Sequence, residues 1–194
     1  MAILELYWKE ALGKDGEPIR VPKIRTMTHG ADDLRAELVE SCGLDGLGKI
    51  VGDPTITHLG RILRPTRLDE LPQFYSLAKG DISLVGLRPR SRREWLTEFP
   101  RELMDKQMLF KPGLLPPEFA YLRESSTRDE QIRRELEYVD RKMNNPIRTD
   151  QEYLARIAAG IAYRSAGHMV RLGHFVPKQA RQALREFAAQ HNLF

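Results

Sequence analysis

Thiols, long apolar runs and metal-binding clusters are all scarce in this chain, and each scarcity removes a class of protein. One cysteine, Cys42, occurs in 194 residues. It can form no internal disulfide, in keeping with a reducing compartment, and just ahead of Gly43 it reads as a small buried helix residue. The five histidines, His29, His58, His168, His174 and His191, have no metal-ligand spacing. No stretch approaches the roughly 20 apolar residues that span a bilayer. A charged fraction of 30% with a mean hydropathy of −0.47 excludes an integral membrane bundle. The segment 1–6 is too short, and too soon followed by charge, for a signal peptide.

What the chain has is basic charge. A formal net charge of +4 and a pI near 9.3 point to an anionic partner, whether nucleotide, lipid headgroup or nucleic acid. The cluster Arg88-Pro89-Arg90-Ser91-Arg92-Arg93 would suit nucleic acid. It lacks interleaved aromatics apart from Trp95, and no zinc, RRM or helix-turn-helix signature accompanies it, so no nucleic acid is expected as a partner. The length is ample for one domain that buries about 70% of its unfolded surface.

The most informative text is Leu63-Arg64-Pro65-Thr66-Arg67-Leu68-Asp69-Glu70-Leu71-Pro72-Gln73, followed by Lys79-Gly80-Asp81-Ile82-Ser83-Leu84-Val85-Gly86. Two adjacent carboxylates are flanked by Arg61, Arg64, Arg67, Lys79, Arg88 and Arg90. Phosphoryl transfer needs such a set: a carboxylate for attack or metal binding, and cations for the phosphate oxygens. The competing structural reading is local. Thr66 and Asp69 have capping-box spacing, worth about 1 kcal/mol to a helix start. Pro72 could then lie among the first helical positions. On that reading Asp69 meets free backbone amides and the positive helix end, which would lower its pKa and keep it ionised.

Further blocks occur in order: Lys23-Ile24-Arg25-Thr26-Met27, then Asp53-Pro54-Thr55-Ile56-Thr57-His58-Leu59-Gly60-Arg61-Ile62-Leu63-Arg64, the acid pair, Arg88-Pro89, and Lys111-Pro112-Gly113. Over about 13–167 their order and spacing resemble the bacterial sugar transferase family, monotopic phosphoglycosyl transferases that move a hexose 1-phosphate from a nucleotide sugar to polyprenyl phosphate. The resemblance implies that Asp69 is the nucleophile on the sugar-bearing phosphorus, giving a phosphosugar-enzyme intermediate and releasing nucleoside monophosphate. It implies that Glu70 is associated with Mg²⁺, and it matches Lys23, Arg25 and Arg88 to the family's basic positions. Glu70 beside Asp69 offers the hard oxygen ligands that Mg²⁺ takes. Nucleotide sugar and polyprenyl phosphate are the expected substrates, in polysaccharide or glycoconjugate assembly.

Two departures stand out. The family usually writes Val-Gly-Pro-Arg-Pro where this chain has Val85-Gly86-Leu87-Arg88-Pro89, and Ile-Thr-Gly after Pro-Gly where this chain has Leu114-Leu115-Pro116-Pro117-Glu118-Phe119. The family also carries an apolar hairpin before the Gly-x-Asp-Gly turn, and only a dozen residues precede Gly13 here. The expectation is therefore a cytoplasmic protein lying peripherally on the inner face of the cell membrane, through electrostatic contact or a membrane-protein partner. The alternative is a silent relative that binds nucleotide or a membrane partner.

The implied fold is a single, helix-dominated α+β domain over 1–194, with a C-terminal helical tail at 168–194. Segments 7–12 and 19–27 flank Gly13-Lys14-Asp15-Gly16, an Asp-Gly hairpin signal. Period-2 alternation would put Ile19, Val21, Lys23 and Arg25 on one face, two cations together where a pyrophosphate could lie. Ala31, Leu34, Leu38 and Cys42 recur at helical spacing. Thr57 would cap a helix whose Leu59, Ile62 and Leu63 face the core, leaving Arg61 and Arg64 as candidate phosphate ligands. Helices are expected over 71–78, over 91–108 with a break at Pro100, over 127–143, over 151–166 capped by Thr149-Asp150, and over 178–190. Core stripes are expected at Tyr153, Leu154, Ile157 and Ile161 and at Ala180, Ala183, Leu184 and Phe187. Arg156, Arg164, Arg171, Lys178, Arg181 and Arg185 are the candidate contacts with anionic lipid.

Overall fold

The structure, a computed structural model, describes residues 5–121 and 127–171 with four positions nearer the C-terminus, and side chains in the last long helix as far as residue 161. Among these, α+β is the class, with seven α-helices and two small sheets. β1 (Leu6–Leu12) and β2 (Pro18–Ile24) form the antiparallel hairpin, in register from Leu6 opposite Ile24 to Leu12 opposite Pro18. The Asp-Gly signal works as the sequence predicts. Asp15 and Gly16 take φ of 58° and 77°, the left-handed backbone that a tight connection of right-twisted strands requires. Leu12 N–H donates to Arg90 O (2.9 Å) and Asp15 N–H to Met108 O (2.6 Å), which seats the hairpin on the body.

That body is helical. α4 (Arg92–Glu98) begins in a complete capping box between Ser91 and Glu94, and Pro100 separates it from α5 (Arg101–Gln107). α6 (Arg128–Asn144) is capped by Thr127, and α7 (Pro146–Arg171) packs against it. Between them lie Val85, Leu87, Trp95, Leu103, Ala120, Tyr138, Val139, Tyr153 and Ile157, the buried core. Tyr138 and Tyr153 meet edge to face at 4.8 Å. Burying such a side chain contributes about 2 kcal/mol. Lys142 Nζ is drawn into this layer by Asp150 (2.9 Å), Tyr138 Oη (3.0 Å) and Val85 O (3.3 Å).

The core also holds the loop that matters most for the site. β3 (Ser83–Val85) and β4 (Gly113–Leu115) are a parallel pair only long enough to join Ser83 with Gly113 and Val85 with Leu115. Just beyond, Gly113 N–H donates to Leu87 O (2.7 Å) while Gly86 N–H donates to Leu115 O (3.3 Å). A Cβ on Gly86 would fall 2.8 Å from Gly113 N, and one on Gly113 would overlap the Gly86 backbone. Two segments of the chain cross here at a separation that only glycine permits. Leu87, where the family usually has proline, is fully buried, so apolar packing fixes the turn that proline would have stiffened.

Several local expectations fail. Cys42, at the end of α1 (Arg35–Cys42), is exposed, and Leu34 with it, because no other element covers that face. Gly43 does stop α1, with φ 74°. α7 begins at Pro146, so Thr149 and Asp150 lie inside its first turns rather than capping it; Asn145 Oδ1 accepts from Arg148 N–H instead. Pro146 is favoured there because its missing N–H is one the helix start leaves unpaired. In the stripe, Tyr153 and Ile157 are buried, but Leu154 and Ile161 are exposed. The expected helix at 178–190 and its apolar stripe lie almost wholly outside the described residues.

Candidate active site

α2 (His58–Thr66) delivers the acid pair. Thr57 Oγ1 accepts from Gly60 N–H at 3.0 Å, and Gly60 presses on the backbone of Thr26, where a side chain would collide with Thr26 O. Arg64 is thereby set against the Thr26 hydroxyl, donating from Nε at 2.9 Å. α2 then stops. The Thr66 hydroxyl donates back to Ile62 O and Leu63 O rather than capping Asp69, so the expected capping box does not form. The chain reverses at Arg67, which holds φ 55° without being glycine. That is a strained position for a side chain of its size, of the kind found beside functional groups. Ile62, expected in the core, is 66% exposed.

From that turn runs a 3₁₀ helix, Leu68–Gln73, which packs on β2 and leads into α3 (Phe74–Lys79). It separates the two adjacent acids. Asp69 is buried to 8% exposure. Glu70, with a side chain 11% exposed, is gripped through a single oxygen: Oε1 accepts from Lys23 Nζ at 3.0 Å and from Arg88 Nη2. Burial alone would raise the Glu70 pKa, but Arg88, Lys23 and Arg67 outweigh it and hold the carboxyl at about 2. Lys23 is pushed below the usual lysine value because its own burial exceeds what Glu70 restores.

Asp69 behaves in the opposite way. Burial pushes its pKa up, against the pull of Lys23 and Arg64 and with the push of Glu70. The sequence argument predicts a lowered value from a helix N-terminus; a six-residue 3₁₀ helix does not offset the loss of water around the carboxylate. Among the described residues no side chain forms an ion pair or hydrogen bond with Asp69.

The other predicted residues divide. Lys23, Arg64 and Arg88 are brought to the acid pair. Arg25 is not: its Nε lies 3.1 Å from Glu5 and its guanidinium sits over the Tyr7 ring, in a groove it lines with His29, Thr57 and His58. Lys23 in β2 and Arg25 just beyond it therefore serve different acids. Arg61 is exposed and borders a depression with Asp53 and Ile56. Lys79 pairs with Asp81 at the surface (3.0 Å). Arg90 is buried against Glu135, so the run from Arg88 to Arg93 is not a continuous basic surface.

Residues that sequence reasoning missed are Glu118, Gln131 and Glu135. Their signal was weak: Glu118 stands in the segment that departs from the family text, and the other two lie within the helix expected over 127–143. For a metal, no group of three histidine, cysteine, aspartate or glutamate side chains is present among the described residues. Mg²⁺ asks for less, one or two carboxylates completed by water and substrate phosphate. Glu70 fits that demand, since both of its cations hold Oε1 and leave Oε2 outside those bonds.

A buried carboxylate next to a clamped one, with lysine and arginine beside them, is an arrangement that can serve phosphate chemistry. Residues 4–159 match the bacterial sugar transferase family, and the chain belongs to it. The galactosyl transferase CpsE of Streptococcus agalactiae is 36% identical over 110 residues, which are 56% of this chain and 24% of that one. The undecaprenyl-phosphate galactose phosphotransferase of Salmonella typhimurium is 33% identical over 114 residues (56% and 24%). The UDP-glucose:undecaprenyl-phosphate glucose-1-phosphate transferase of Escherichia coli is 37% identical over 112 residues (56% and 22%). The chain spans less than a quarter of the length of these relatives.

Proposed function

We propose that this chain moves a sugar 1-phosphate from a UDP-sugar to polyprenyl phosphate, in polysaccharide or glycoconjugate assembly, with Asp69 as nucleophile. The observation that carries the reading is the division of labour in the acid pair. Glu70 is immobilised and ionised by Lys23 and Arg88, whereas Asp69, one residue away, is largely buried and, among the described residues, in no ion pair or side-chain hydrogen bond. A carboxylate shielded from much of the solvent and not tied into an ion pair keeps an oxygen available for attack. An Asp69 oxygen attacks the sugar-bearing phosphorus, the bond from that phosphorus to the bridging oxygen breaks, and UMP leaves with the electron pair. The phosphate oxygen of the lipid then attacks the same phosphorus and returns the Asp69 carboxylate. Arg88, Lys23 and Arg64 supply positive charge where the diphosphate's negative charge builds up. Mg²⁺, held through Glu70, would neutralise further phosphate charge when bound. UMP release from a panel of UDP-sugars tests the reading; donor bound but never cleaved, by chain of verified fold, would leave a nucleotide-binding relative in its place.

Chelation with EDTA should abolish turnover and Mg²⁺ should restore it. Glu70→Gln should raise the Mg²⁺ needed for half-maximal rate by roughly tenfold or more, since a charged oxygen ligand is lost. Unchanged metal dependence in that variant would remove Glu70 from the metal.

Membrane contact finds a better candidate than the basic helix face. Arg156 is tied to Glu152 (2.6 Å), and the side chains of the other arginines and lysines named for that role lie outside the described residues. Beside the acid pair, however, Leu71, Phe74 and Tyr75 are all more than half exposed, with Tyr75 edge-on to Trp8 at 6.1 Å and Arg20 over the Trp8 ring. No helix among the described residues is long and apolar enough to cross a membrane. Flotation with anionic liposomes should therefore show binding that weakens between 0.1 M and 1 M salt, as the Debye length falls from about 10 Å to about 3 Å, without vanishing. Phe74→Ser with Tyr75→Ser should remove the salt-resistant part.

A further inference from the structure

The turn that presents the acid pair is held from across the fold. Arg67 takes φ 55° and ψ 21°, a left-handed backbone that disfavours a large side chain. Its peptide is bonded on both sides: the N–H donates to Arg64 O at 3.2 Å as α2 closes, and the C=O accepts from Glu70 N–H at 3.0 Å as the 3₁₀ helix of the acids begins. Asparagine or glycine would take that conformation with less strain. The arginine brings what they lack, a side chain long enough to reach Phe119. Its guanidinium lies 4.3 Å from the centre of that ring, well inside the distance at which a cation and a ring face attract. Phe119 is a firm anchor. It stands on a short 3₁₀ turn, Pro117–Ala120, that packs on α6 and α7, and its neighbour Ala120 is fully buried. Gln131 Nε2, from α6, donates to Glu118 Oε1 on the same turn at 2.6 Å and to Glu135 Oε1 at 2.9 Å. Glu135 in turn accepts from both Nη atoms of Arg90, at 3.0 and 2.5 Å. The 3₁₀ helix of the acids packs chiefly on β2, α2 and α3 instead. Side chains from both segments that leave the glycine crossing tie it, and the turn before it, to the helical body: Arg88 holds Glu70, and Phe119 holds Arg67.

We propose that Arg67 is a positioning residue for the transfer: stacked on Phe119, it fastens the left-handed turn to the helical body and so fixes where the acid pair stands. The proposal rests on the function given above. Asp69 and Glu70 follow Arg67 directly after Leu68, and the Glu70 amide is bonded to the Arg67 carbonyl, so movement of the turn is movement of the nucleophile. A reacting group displaced by about 1 Å loses on the order of a hundredfold in rate. Lys23, Arg64 and Arg88 stand on β2, on α2 and after β3, outside that turn, and keep their positive charge near a bound diphosphate when the turn shifts. Loosening the stack therefore lowers kcat and leaves donor affinity near its original value.

The test begins with Phe119→Leu, which removes the ring and keeps every charge of the site. Its kcat should fall about tenfold or more, with donor KM, and Kd for UDP by calorimetry, within about threefold of wild type. Phe119→Tyr, which keeps a ring face, should retain wild-type kcat. Arg67→Asn suits the left-handed backbone better than arginine does but cannot reach the ring, so it should fold as well as wild type and lose kcat to a similar degree. Because both substitutions break one contact, the double variant should be little slower than either single one. Hydrogen exchange at the Glu70 amide, which needs no turnover, should quicken roughly tenfold in Phe119→Leu and in Arg67→Asn as the bond to Arg67 O opens more often. If Arg67 merely completes the turn, Arg67→Asn is as active as wild type and Glu70 exchange in Phe119→Leu is unchanged. Either result would overturn the proposal, as would losses of kcat that simply add in the double variant. If the wild-type protein releases no UMP, the transfer reading fails, and exchange at the Glu70 amide still decides for or against the stack.

Discussion

Asp69→Asn should lower turnover by about three orders of magnitude or more, with the fold and UDP binding retained. Asparagine has nearly the shape of aspartate but no anionic oxygen. A mere capping role predicts near-normal activity, since asparagine caps as well as aspartate. Stability moves in an unusual direction. The folded protein raises the Asp69 pKa above its ordinary value, through burial first, so the native state holds that proton more readily than the unfolded chain does. An acid of this kind destabilises the fold once pH rises through its folded pKa. Asp69→Asn removes the cost and should melt at or above the wild-type temperature at pH 7. The acid limb of the wild-type pH–rate profile should lie above the ordinary aspartate range and belong to Asp69, because Glu70, held at about 2, stays ionised throughout. Labelled donor without lipid acceptor should leave label on the peptide that contains Asp69. Normal turnover by the asparagine variant, or no adduct with cleavage only when acceptor is present, would defeat the assignment.

The second large effect is on stability. Arg90→Met leaves Glu135, 1% exposed, as a buried charge without its bidentate partner. Breaking such a pair from one side costs about 3–5 kcal/mol. For a domain of this size that is roughly 10 °C of melting temperature, measured by calorimetry. Arg90→Met with Glu135→Leu should recover most of the loss, because two apolar residues in the same space need no compensation. A single variant as stable as wild type would mean that Glu135 is neutralised by another route.

These two residues also mark the limit of what the sequence could tell. The hairpin was legible because Asp15-Gly16 has few other uses between two apolar runs, and the break between α4 and α5 because Ser91, Glu94 and Pro100 act within a few residues of themselves. The acid pair, Lys23 and Arg88 were legible as text. Their arrangement was not. Arg88 and Arg90 look alike along the chain, yet one reaches Glu70 and the other Glu135, 45 residues away on α6. The sign of the Asp69 shift depends on how much water is excluded, which a helix-start argument does not see. Thr66 failed as a cap because Arg67 takes a left-handed turn that local preference disfavours. Period-2 alternation sets Lys23 and Arg25 on one face, but β2 ends at Ile24, and periodicity does not say which acid lies across from each.

The glycine crossing at Gly86 and Gly113 has a consequence for how such sites diverge. Arg88 leaves it on one side and Glu118 on the other, at two and five residues from the crossing point. The two segments behave as arms spliced at one fixed joint. Side chains along the arms can be exchanged, as Leu87 and the stretch from Leu114 to Phe119 show, while the joint tolerates no added atom. Variation in this region therefore changes the side chains set around Arg88 and leaves unaltered the joint that places them.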